Sequence, residues 1–363
     1  MIKPKAQIGH LYRTDDIGAG RNLPVLLDKN ERTVPYEDEL FRQLLASLDA
    51  KDLSKYPDQS GLYERLANFL GIDKEYLLLV SGADSGLKLF FETFLEPQQQ
   101  LVTVAPTYAM INVYANMFGA NIVDEKYDTN LHLDVASFIN SIGPDTRMVV
   151  LPNPNQPTGT LLDSFAIENI VHKASLYDTI VLIDEAYLEF ANTQSAVSLI
   201  PNYPNLCILR TFSKAWGLAG VRLGYVVGTP NIIKEVRKTK SLLDINILAI
   251  KAALFLLEHH NLVLDYVSEI KQAKNLVLHK LSSHGINTIS SYTNFIHIEL
   301  PKHVNAATVS KKLEVEGYSV RIPGGTATVL DGCMRITIGP QYQMTKFIDR
   351  LISILVSSEP DTK

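Results

Sequence analysis

Thr211-Phe212-Ser213-Lys214-Ala215-Trp216-Gly217-Leu218-Ala219-Gly220-Val221-Arg222 follows directly on the apolar run Leu206–Arg210. A lysine just after a strand can point into the cleft at the strand's carboxyl end, where ligands bind in open α/β sheets. Imine chemistry needs a deprotonated amine, and desolvation or nearby cations lower a lysine pKa. Arg222 can neutralise a phosphate in a forked contact. A lysine on a surface loop is the alternative, but the flanking Ser-Lys and Gly-Leu-Ala-Gly-x-Arg pattern favours a functional lysine.

A second apolar run, Ile180–Ile183, ends in Asp184-Glu185-Ala186-Tyr187. An aspartate at a strand end can keep the nitrogen of a pyridine ring protonated, as electron-sink chemistry requires. Tyr187 can donate to a phenolic oxygen on the same ring. Two alternatives are a carboxylate that caps the next helix and a Walker B magnesium site. Because the sequence has no G-x-x-x-x-G-K-[ST] loop to accompany a magnesium site, we predict no metal.

Three further turns follow other apolar runs. Ser81–Gly86 precedes a helix predicted to begin near Gly86, and its small residues let backbone N–H groups approach a phosphate. Pro152–Gly159 contains three prolines, which make a rigid loop whose amides can reach a ring oxygen. Tyr108 can stack on a planar ring. Each feature also has a plain interpretation, as an ordinary Gly-rich or Pro-rich turn or as a core aromatic residue.

From about residue 60 to 245, helix-like stretches alternate with short apolar runs, which predicts an α/β domain. We expect a mostly parallel sheet of seven strands covered by helices on both faces. The predicted strands are Leu77–Val80, Gln100–Val104, Ala120–Val123, Met148–Pro152, Ile180–Ile183, Leu206–Arg210 and Gly224–Gly228. The predicted helices of this part are Leu62–Leu70, Gly86–Leu95, Tyr108–Phe118 and Ser164–Ser175.

After residue 245 the pattern changes and predicts a smaller α+β domain. Its predicted elements are the helices Asn246–Glu258 and Asn261–Leu281, the strands Asn294–Glu299, Tyr318–Ile322 and Met334–Ile338, and the final helix Met344–Val356. We therefore expect three parts: an N-terminal segment over residues 1–45 that packs near the functional site, a large ligand-binding domain over 46–245, and a small domain over 246–363.

The bulk composition bounds the function. The 363 residues carry a formal net charge of −5, from 34 basic and 39 acidic residues, so no nucleic-acid partner is predicted. Two cysteines, Cys207 and Cys333, cannot form a disulfide framework and fit a reducing compartment. Met1–Gly20 lacks the apolar region of a secretion signal, and Ile245–Leu257 is expected to be a buried helix, not a membrane span. We expect a cytoplasmic protein without a membrane partner.

Taken together, the motifs resemble those of the fold-type I aminotransferases, and within them the histidinol-phosphate aminotransferase group. The matching pieces follow the family order over most of the chain: Leu27–Glu31, Lys55–Asp58, Ser81–Gly86, Pro106–Tyr108, Asn153–Gly159, Asp184–Tyr187, Ser213-Lys214 with Arg222, and Met334–Gly339. The resemblance implies a fold-type I architecture, pyridoxal 5'-phosphate as cofactor, and a homodimer with shared active sites.

The resemblance also implies roles for individual residues. Lys214 would hold the cofactor as an imine and shuttle a proton, Asp184 would pair with the ring nitrogen, and Tyr187 would bond the phenolic oxygen. Tyr108 would stack on the ring. The other residues implied around the cofactor are the Ala83 and Asp84 amides, Ser213 and Arg222 at the phosphate, Asn155 or Gln156 at a ring oxygen, and Tyr56 from the neighbouring subunit.

The resemblance also implies residues that recognise the substrate, and the chain departs from the family pattern both there and in the cofactor site. Arg335 resembles the arginine that grips a substrate carboxylate or phosphate, and Arg321 resembles a second anion contact. Alternation along the strand places Arg335 and Thr337 on one face. Asn30 and Glu31 lie in a segment that is commonly near the substrate, but Arg32 adds a charge where the family tends to be neutral. Gln156 stands where the family usually has asparagine, so Asn155 is an alternative contact.

The resemblance predicts transfer of an amino group between glutamate or 2-oxoglutarate and a small phosphorylated substrate such as histidinol phosphate. A decarboxylase of a phosphorylated amino acid on the same scaffold is the alternative, because both reactions use Lys214 and arginine-lined anion sites. A degenerate binding or regulatory protein is a third hypothesis, which the intact Lys214, Asp184 and Arg222 disfavour.

Overall fold

The structure is a computed structural model that describes residues 5–9, 11, 21–324 and 328–357. Its helices are α1 Ala6–Gly9, α2 Asp38–Ala46, α3 Ala50–Ser54, α4 Ser60–Leu70, α5 Ala83–Phe94, α6 Ala109–Phe118, α7 Val135–Asn140, α8 Ser164–Ser175, α9 Pro230–Thr239, α10 Ile247–Glu258, α11 Asn261–Ser283, α12 Ala306–Val315 and α13 Gln341–Val356. Its strands are β1 Val25–Leu26, β2 Leu77–Val80, β3 Gln100–Ala105, β4 Asn121–Lys126, β5 Thr146–Pro152, β6 Ile180–Asp184, β7 Leu206–Thr211, β8 Gly224–Val227, β9 Thr288–Ile289, β10 Phe295–Glu299, β11 Tyr318–Ser319 and β12 Cys333–Thr337.

The large sheet has seven strands in the order β2-β8-β7-β6-β5-β3-β4. The pairs β3–β4, β3–β5, β5–β6 and β6–β7 are parallel, and β8 runs antiparallel to both of its neighbours, β2 and β7. The seven apolar runs predicted as strands all belong to this sheet. The predicted fold class, a mostly parallel α/β sheet with an additional α+β part, is confirmed.

Both faces of the large sheet are buried, because successive side chains of a strand point to opposite faces. Along β2, Leu77 and Leu79 belong to one core cluster, whereas Leu78 and Val80 belong to another. The first cluster continues into the C-terminal part of the chain, and the second packs under α5 and α6. This double burial explains why the strands read as continuous apolar runs.

A three-stranded antiparallel sheet, β12-β10-β9, forms the centre of the C-terminal part. Helix α11 packs against α13, and α13 against α12. The N-terminal segment joins this part through β1, which pairs in parallel with β11. The boundaries 1–45, 46–245 and 246–363 stay a prediction. Residues 1–4, 10 and 12–20 of the first part, and 325–327 and 358–363 of the last, lie outside the described residues.

Some elements differ from the predictions. The predicted strand Tyr318–Ile322 is two residues long, because its partner β1 is equally short, and Arg321 adds only a single bridge to Arg335. The helix predicted to begin near Gly86 begins at Ala83. Eight of these elements were not predicted: helices α1, α2, α3, α7, α9 and α12, and the short strands β1 and β9. The α9 start could have been found, since Thr229 followed by Pro230 is a typical first turn.

The apolar stretch after residue 245 is the buried helix that the sequence predicts, because six of the α10 side chains are buried. Among the described residues, no single helix has the length and apolar composition to cross a membrane. Helices α10 and α11 pass that test only as a pair, and they are bent by 80° where they join.

Candidate active site

The predicted motifs meet at one edge of the large sheet. Strands β5, β6 and β7 are parallel, so the loops after them leave from the same edge. Strand β2 ends there too, because Val80 and Thr211 are both register partners of Gly224 at the start of β8. The turn after β2, the loop after β5, the Asp184 segment and the Lys214 loop therefore surround one cleft.

Lys214 lies in a tight loop after β7. The Ser213 amide donates to Thr211 Oγ1 at 3.1 Å, and the Gly217 amide donates to the Lys214 carbonyl at 3.0 Å. Lys214 Nζ donates to the carbonyl oxygen of Lys29 at 2.9 Å and lies 5.6 Å from the centre of the Tyr187 ring. The amine therefore points into the space between the sheet edge and the N-terminal segment.

Asp184 is the last residue of β6, and its Oδ1 accepts a hydrogen bond of 3.0 Å from the Ala186 amide. Burial raises the pKa of Asp184 to about 6, although the Ala186 amide and the nearby Lys214 charge act in the opposite direction. A partly buried carboxylate with a raised pKa is suited to a cationic partner, which would restore its ionised form. Asp184 can thus receive a protonated ring nitrogen.

Tyr187 is buried beside Asp184 and contacts the C-terminal part of the chain. Its hydroxyl accepts a hydrogen bond of 2.9 Å from Asn30 Nδ2, and its ring meets the Phe295 ring edge-on at 5.6 Å. Because the hydroxyl acts as acceptor towards Asn30, its own hydrogen is available to a second group. Phe295 is a residue that sequence reasoning missed as part of this site.

An anion cradle lies at the N-terminus of α5. Gly82 has a φ of +80°, and a Cβ atom there would lie 2.7 Å from Arg222 Nη2, so only glycine lets the guanidinium approach so closely. A Cβ atom on Gly224 would lie 2.8 Å from the Ala83 amide nitrogen. Free N–H groups at a helix start and an arginine together attract anions. The structure thus brings the predicted phosphate residues Ala83, Asp84 and Arg222 together.

The side chain of Asp84 is held by two tyrosines. Tyr108 Oη donates to one carboxylate oxygen at 3.3 Å and Tyr114 Oη to the other at 2.9 Å. Burial, and then the nearby charges of Asp84 and Asp184, raise the pKa of Tyr108, which keeps its hydroxyl protonated. Tyr108 therefore lies close to the carboxylates of Asp84 and Asp184, which is where a residue that covers a bound ring would lie. Tyr114 was not predicted, although it follows the Tyr108 motif within α6.

The loop after β5 uses Asn155 internally. Asn155 is buried, and its Nδ2 donates to the Pro106 carbonyl at 3.0 Å and to Thr158 Oγ1 at 2.7 Å. Both of its N–H groups are therefore occupied. Gln156 is partly buried, and its side chain makes no hydrogen bond to the described residues.

The two predicted anion-binding arginines differ in their surroundings. Arg335 is buried, and its Nη2 donates to the Asp28 carbonyl at 2.7 Å, whereas Arg321 is exposed. Burial lowers the pKa of Arg335. Thr337, on the same face of β12, accepts from the Asn30 amide at 3.0 Å. The predicted alternation along this strand is confirmed, since both side chains face the N-terminal segment.

The other predicted residues of the N-terminal region lie in separate places. Glu31 forms a two-pronged ion pair with Arg21, at 2.8 and 2.6 Å, which lowers the Glu31 pKa. Arg32 stacks between the rings of Tyr36 and Tyr266, at 4.1 and 3.9 Å from their centres. The Arg32 guanidinium is therefore stabilised by cation–π contacts with both rings. Tyr56 lies on the surface and is 84% exposed in the single chain.

Comparison with known proteins identifies similar chains. A family model described as aminotransferase class I and II matches residues 24–351. The histidinol-phosphate aminotransferase of Chlorobaculum tepidum is 31% identical over 360 residues, which are 98% of this chain and 99% of that protein. The crystal structure of histidinol-phosphate aminotransferase from Sinorhizobium meliloti in complex with pyridoxal-5'-phosphate has a TM-score of 0.87, with 23% identity over 99% of both chains. L-threonine-O-3-phosphate decarboxylase from Porphyromonas gingivalis has a TM-score of 0.79, with 23% identity over 92% of this chain and 99% of that one.

Proposed function

The chain belongs to the class I and II aminotransferases, enzymes that work with pyridoxal 5'-phosphate, and from this premise we propose that it moves an amino group between histidinol phosphate and 2-oxoglutarate. The observation that carries the proposal is the meeting of Lys214, Asp184 and Arg222 at one edge of the large sheet. The names of the curated relatives support this choice of substrate.

The cofactor's phosphate fits the cradle at the start of α5. A phosphate there would accept hydrogen bonds from the Ala83 and Asp84 amides and the Arg222 guanidinium, which lie at the φ +80° turn at Gly82. The Ser213 hydroxyl, on the Lys214 loop, would be a further donor. The favourable dipole of α5 and the arginine charge act on the same group.

The cofactor's ring fits between Asp184, Tyr187 and Tyr108. Asp184 would hold the proton on the ring nitrogen, since a cation there offsets the burial that raises its pKa to about 6. Tyr187 would donate its free hydrogen to the phenolic oxygen. Gln156 is the better candidate for a second contact to that oxygen, because both N–H groups of Asn155 are occupied within the loop.

When bound, pyridoxal 5'-phosphate supplies an electron sink for bond breaking at the substrate's alpha carbon. Lys214 is then placed to take up and return a proton at Nζ, which the Lys29 carbonyl orients. Arg335 would bind the substrate's anionic group. Its buried Nε has no hydrogen-bond partner among the described residues, so an incoming carboxylate or phosphate would complete its hydrogen bonding.

We further propose a homodimer in which Tyr56 reaches the phosphate in the neighbouring site, and a cytoplasmic location. The exposed Tyr56 side chain supports the first proposal. The free and buried thiols of Cys207 and Cys333 fit a reducing compartment, which supports the second.

The test uses the purified enzyme with pyridoxal 5'-phosphate. Glutamate is expected to convert the cofactor to its aminated form and to yield 2-oxoglutarate. Histidinol phosphate is expected to convert the cofactor in the same way and to yield its own keto phosphate. Lys214→Ala should abolish the cofactor's visible absorption band and the activity, whereas Lys238→Ala, on an exposed face of α9, should change neither. Release of carbon dioxide from a phosphorylated amino acid, without 2-oxoglutarate from glutamate, would reveal the decarboxylase instead.

A further inference from the structure

A network of ion pairs connects the residues just after Asp184 with the loop that contains Lys214. Arg210, on β7, donates to Glu185 Oε2 at 3.2 Å and to Glu189 Oε1 at 2.8 Å. These three side chains are only 11%, 3% and 17% exposed, in the order Arg210, Glu185, Glu189. Trp216 Nε1 donates to the same Glu189 oxygen at 3.1 Å. One carboxylate therefore joins strand β7 to the loop that contains Lys214.

The second carboxylate joins this network to β6. Glu185 directly follows Asp184, and its own amide donates to the Leu209 carbonyl at 2.9 Å. Its carboxylate accepts from Ser195 Oγ and from the Ala196 amide, both at 2.7 Å. Burial raises the Glu185 pKa, and the Arg210 charge opposes that shift. Both carboxylate oxygens of Glu185 therefore accept hydrogen bonds. Together with the bond from its amide to Leu209, they fix the position of the residue that follows β6.

Stability alone does not account for this arrangement. A buried ion pair is often no more stabilising than well-packed apolar residues of the same volume, because desolvation offsets the attraction. Here a single guanidinium serves one buried and one largely buried carboxylate, and their attraction repays the desolvation only because further hydrogen bonds hold both carboxylates. The distinctive feature is where the ends of the network lie: Glu185 is next to Asp184, and Trp216 is on the Lys214 loop.

We propose that Glu189 is a positioning residue, which fixes the Lys214 loop through Trp216 and holds that loop against the Asp184 end of β6 through Arg210 and Glu185. This inference rests on the proposed function, since it matters only if Lys214 and Asp184 hold the cofactor from two sides. The network sets the distance and angle between those two groups. Errors of about 1 Å in such a constellation are sufficient to cost about a hundredfold in rate.

Three variants separate the contacts. Glu189→Leu removes both hydrogen bonds, Glu189→Gln keeps an oxygen for the indole but removes the charge, and Trp216→Phe keeps the ring but removes its N–H. The matched control is Glu168→Gln, at a partly buried glutamate that likewise accepts from an aromatic side chain, Tyr203, at 3.2 Å. Glu168 lies on α8 and makes no hydrogen bond to Arg210, Glu189 or Trp216.

The readouts are the dissociation constant of pyridoxal 5'-phosphate, the pH midpoint of the bound cofactor's absorption, and kcat. Glu189→Leu is expected to weaken cofactor binding by about tenfold, Glu189→Gln by less, and both Glu189→Leu and Trp216→Phe are expected to move the pH midpoint. The double variant Glu189→Leu with Trp216→Phe should be no worse than Glu189→Leu, because both remove one shared contact. Glu168→Gln should match the wild type.

A wild-type pH midpoint and cofactor affinity in Glu189→Leu and Trp216→Phe would overturn the proposal, and so would strictly additive effects in the double variant. If Glu189→Leu does not fold, Trp216→Phe still decides the question through the pH midpoint and Glu189→Gln through the cofactor affinity. Failure of the proposed function gives a different result: Lys214→Ala would then keep the visible absorption band of the wild type.

Discussion

Asn30 Nδ2 donates a hydrogen bond of 2.9 Å to the hydroxyl of Tyr187, although 157 residues separate the two in the chain. Asn30 is only 2% exposed and has a φ of +58°, in the left-handed region that asparagine tolerates better than most residues. Its amide donates to Thr337 Oγ1 at 3.0 Å, and its carbonyl accepts from Asn294 Nδ2 at 3.1 Å. Asn30 therefore links the tyrosine beside the cofactor site to the small sheet.

Replacement of Asn30 is expected to destabilise the enzyme in two separable ways. Asn30→Ala loses the side-chain hydrogen bonds and adds strain at positive φ, and we expect the free energy of unfolding to fall by about 2–4 kcal/mol. Asn30→Gly loses the same hydrogen bonds without the strain. Its free energy of unfolding should therefore fall by about 1–2 kcal/mol less than that of the alanine variant. Urea unfolding measures both. Equal stabilities of the alanine and glycine variants would contradict the strain at this position.

The catalytic edge of the sheet was predictable because each motif follows its own apolar strand. Parallel strands place their carboxyl ends together, so Asp184 and Lys214 must approach each other once the strands pair. The contact between Lys214 and the Lys29 carbonyl was not predictable in this way, since it joins residues 185 positions apart through an irregular segment. No local period or turn signal encodes where such a segment packs.

The network around Arg210 could have been found from the sequence. Arg210 is a charged residue at the end of an otherwise apolar run, and a buried arginine needs carboxylate partners. The nearby strand end offers Glu185, and Glu189 follows it in the same segment. The stacking of Arg32 between Tyr36 and Tyr266 had no such signal, because Tyr266 belongs to the distant helix α11.

The anion cradle predicts a specific effect of adding one methyl group. Gly82→Ala would place a Cβ atom 2.7 Å from Arg222 Nη2, so the guanidinium must move and cofactor binding should weaken by about tenfold. The control is Gly71→Ala, because Gly71 also has a positive φ, +68°, but a Cβ atom there would meet no other atom within 4 Å. Gly71 is in the left-handed helical region, where alanine should cost about 1–2 kcal/mol of stability. Gly82, with ψ 158°, lies in a region that is essentially restricted to glycine, so its alanine variant should lose up to about 3 kcal/mol. Quenching of the fluorescence of Trp216, the one tryptophan of the chain, measures cofactor affinity. Equal cofactor affinities in the two variants would refute the steric role of Gly82.

His297 predicts a pH dependence of stability. It is fully buried on β10 opposite Arg335, and burial and then the Arg335 charge lower its pKa from 6.5 to about 3. The unfolded chain therefore takes up a proton below pH 6.5 that the folded chain takes up only near pH 3. This group removes stability as the pH falls through that interval, by up to about 1.4 kcal/mol per pH unit.

Urea unfolding at pH 7, 6 and 5 tests this dependence. His297→Leu is expected to flatten the loss of stability at low pH, and to cost little at pH 7, because both ring nitrogens lack hydrogen-bond partners among the described residues. His303→Gln, at an exposed position, should leave the wild-type dependence in place. If His297→Leu follows the wild-type curve, the buried histidine is not the group that titrates.

Tyr56 predicts complementation between two inactive variants. The residue is 84% exposed and Leu53, on α3, is 82% exposed, so this surface is open in the single chain and available to a second copy. If Tyr56 reaches the neighbouring phosphate, Tyr56→Ala should weaken cofactor binding and be inactive at a cofactor concentration well below its dissociation constant. Lys214→Ala should be inactive at any cofactor concentration. A mixed dimer of the two has one intact site, with Lys214 from one subunit and Tyr56 from the other. Co-expression in equal amounts should therefore restore about a quarter of the wild-type activity, because half of the dimers are mixed and each mixed dimer has one intact site of two.

Light scattering establishes the oligomeric state. Dimers that regain no activity in any mixture would exclude a shared site.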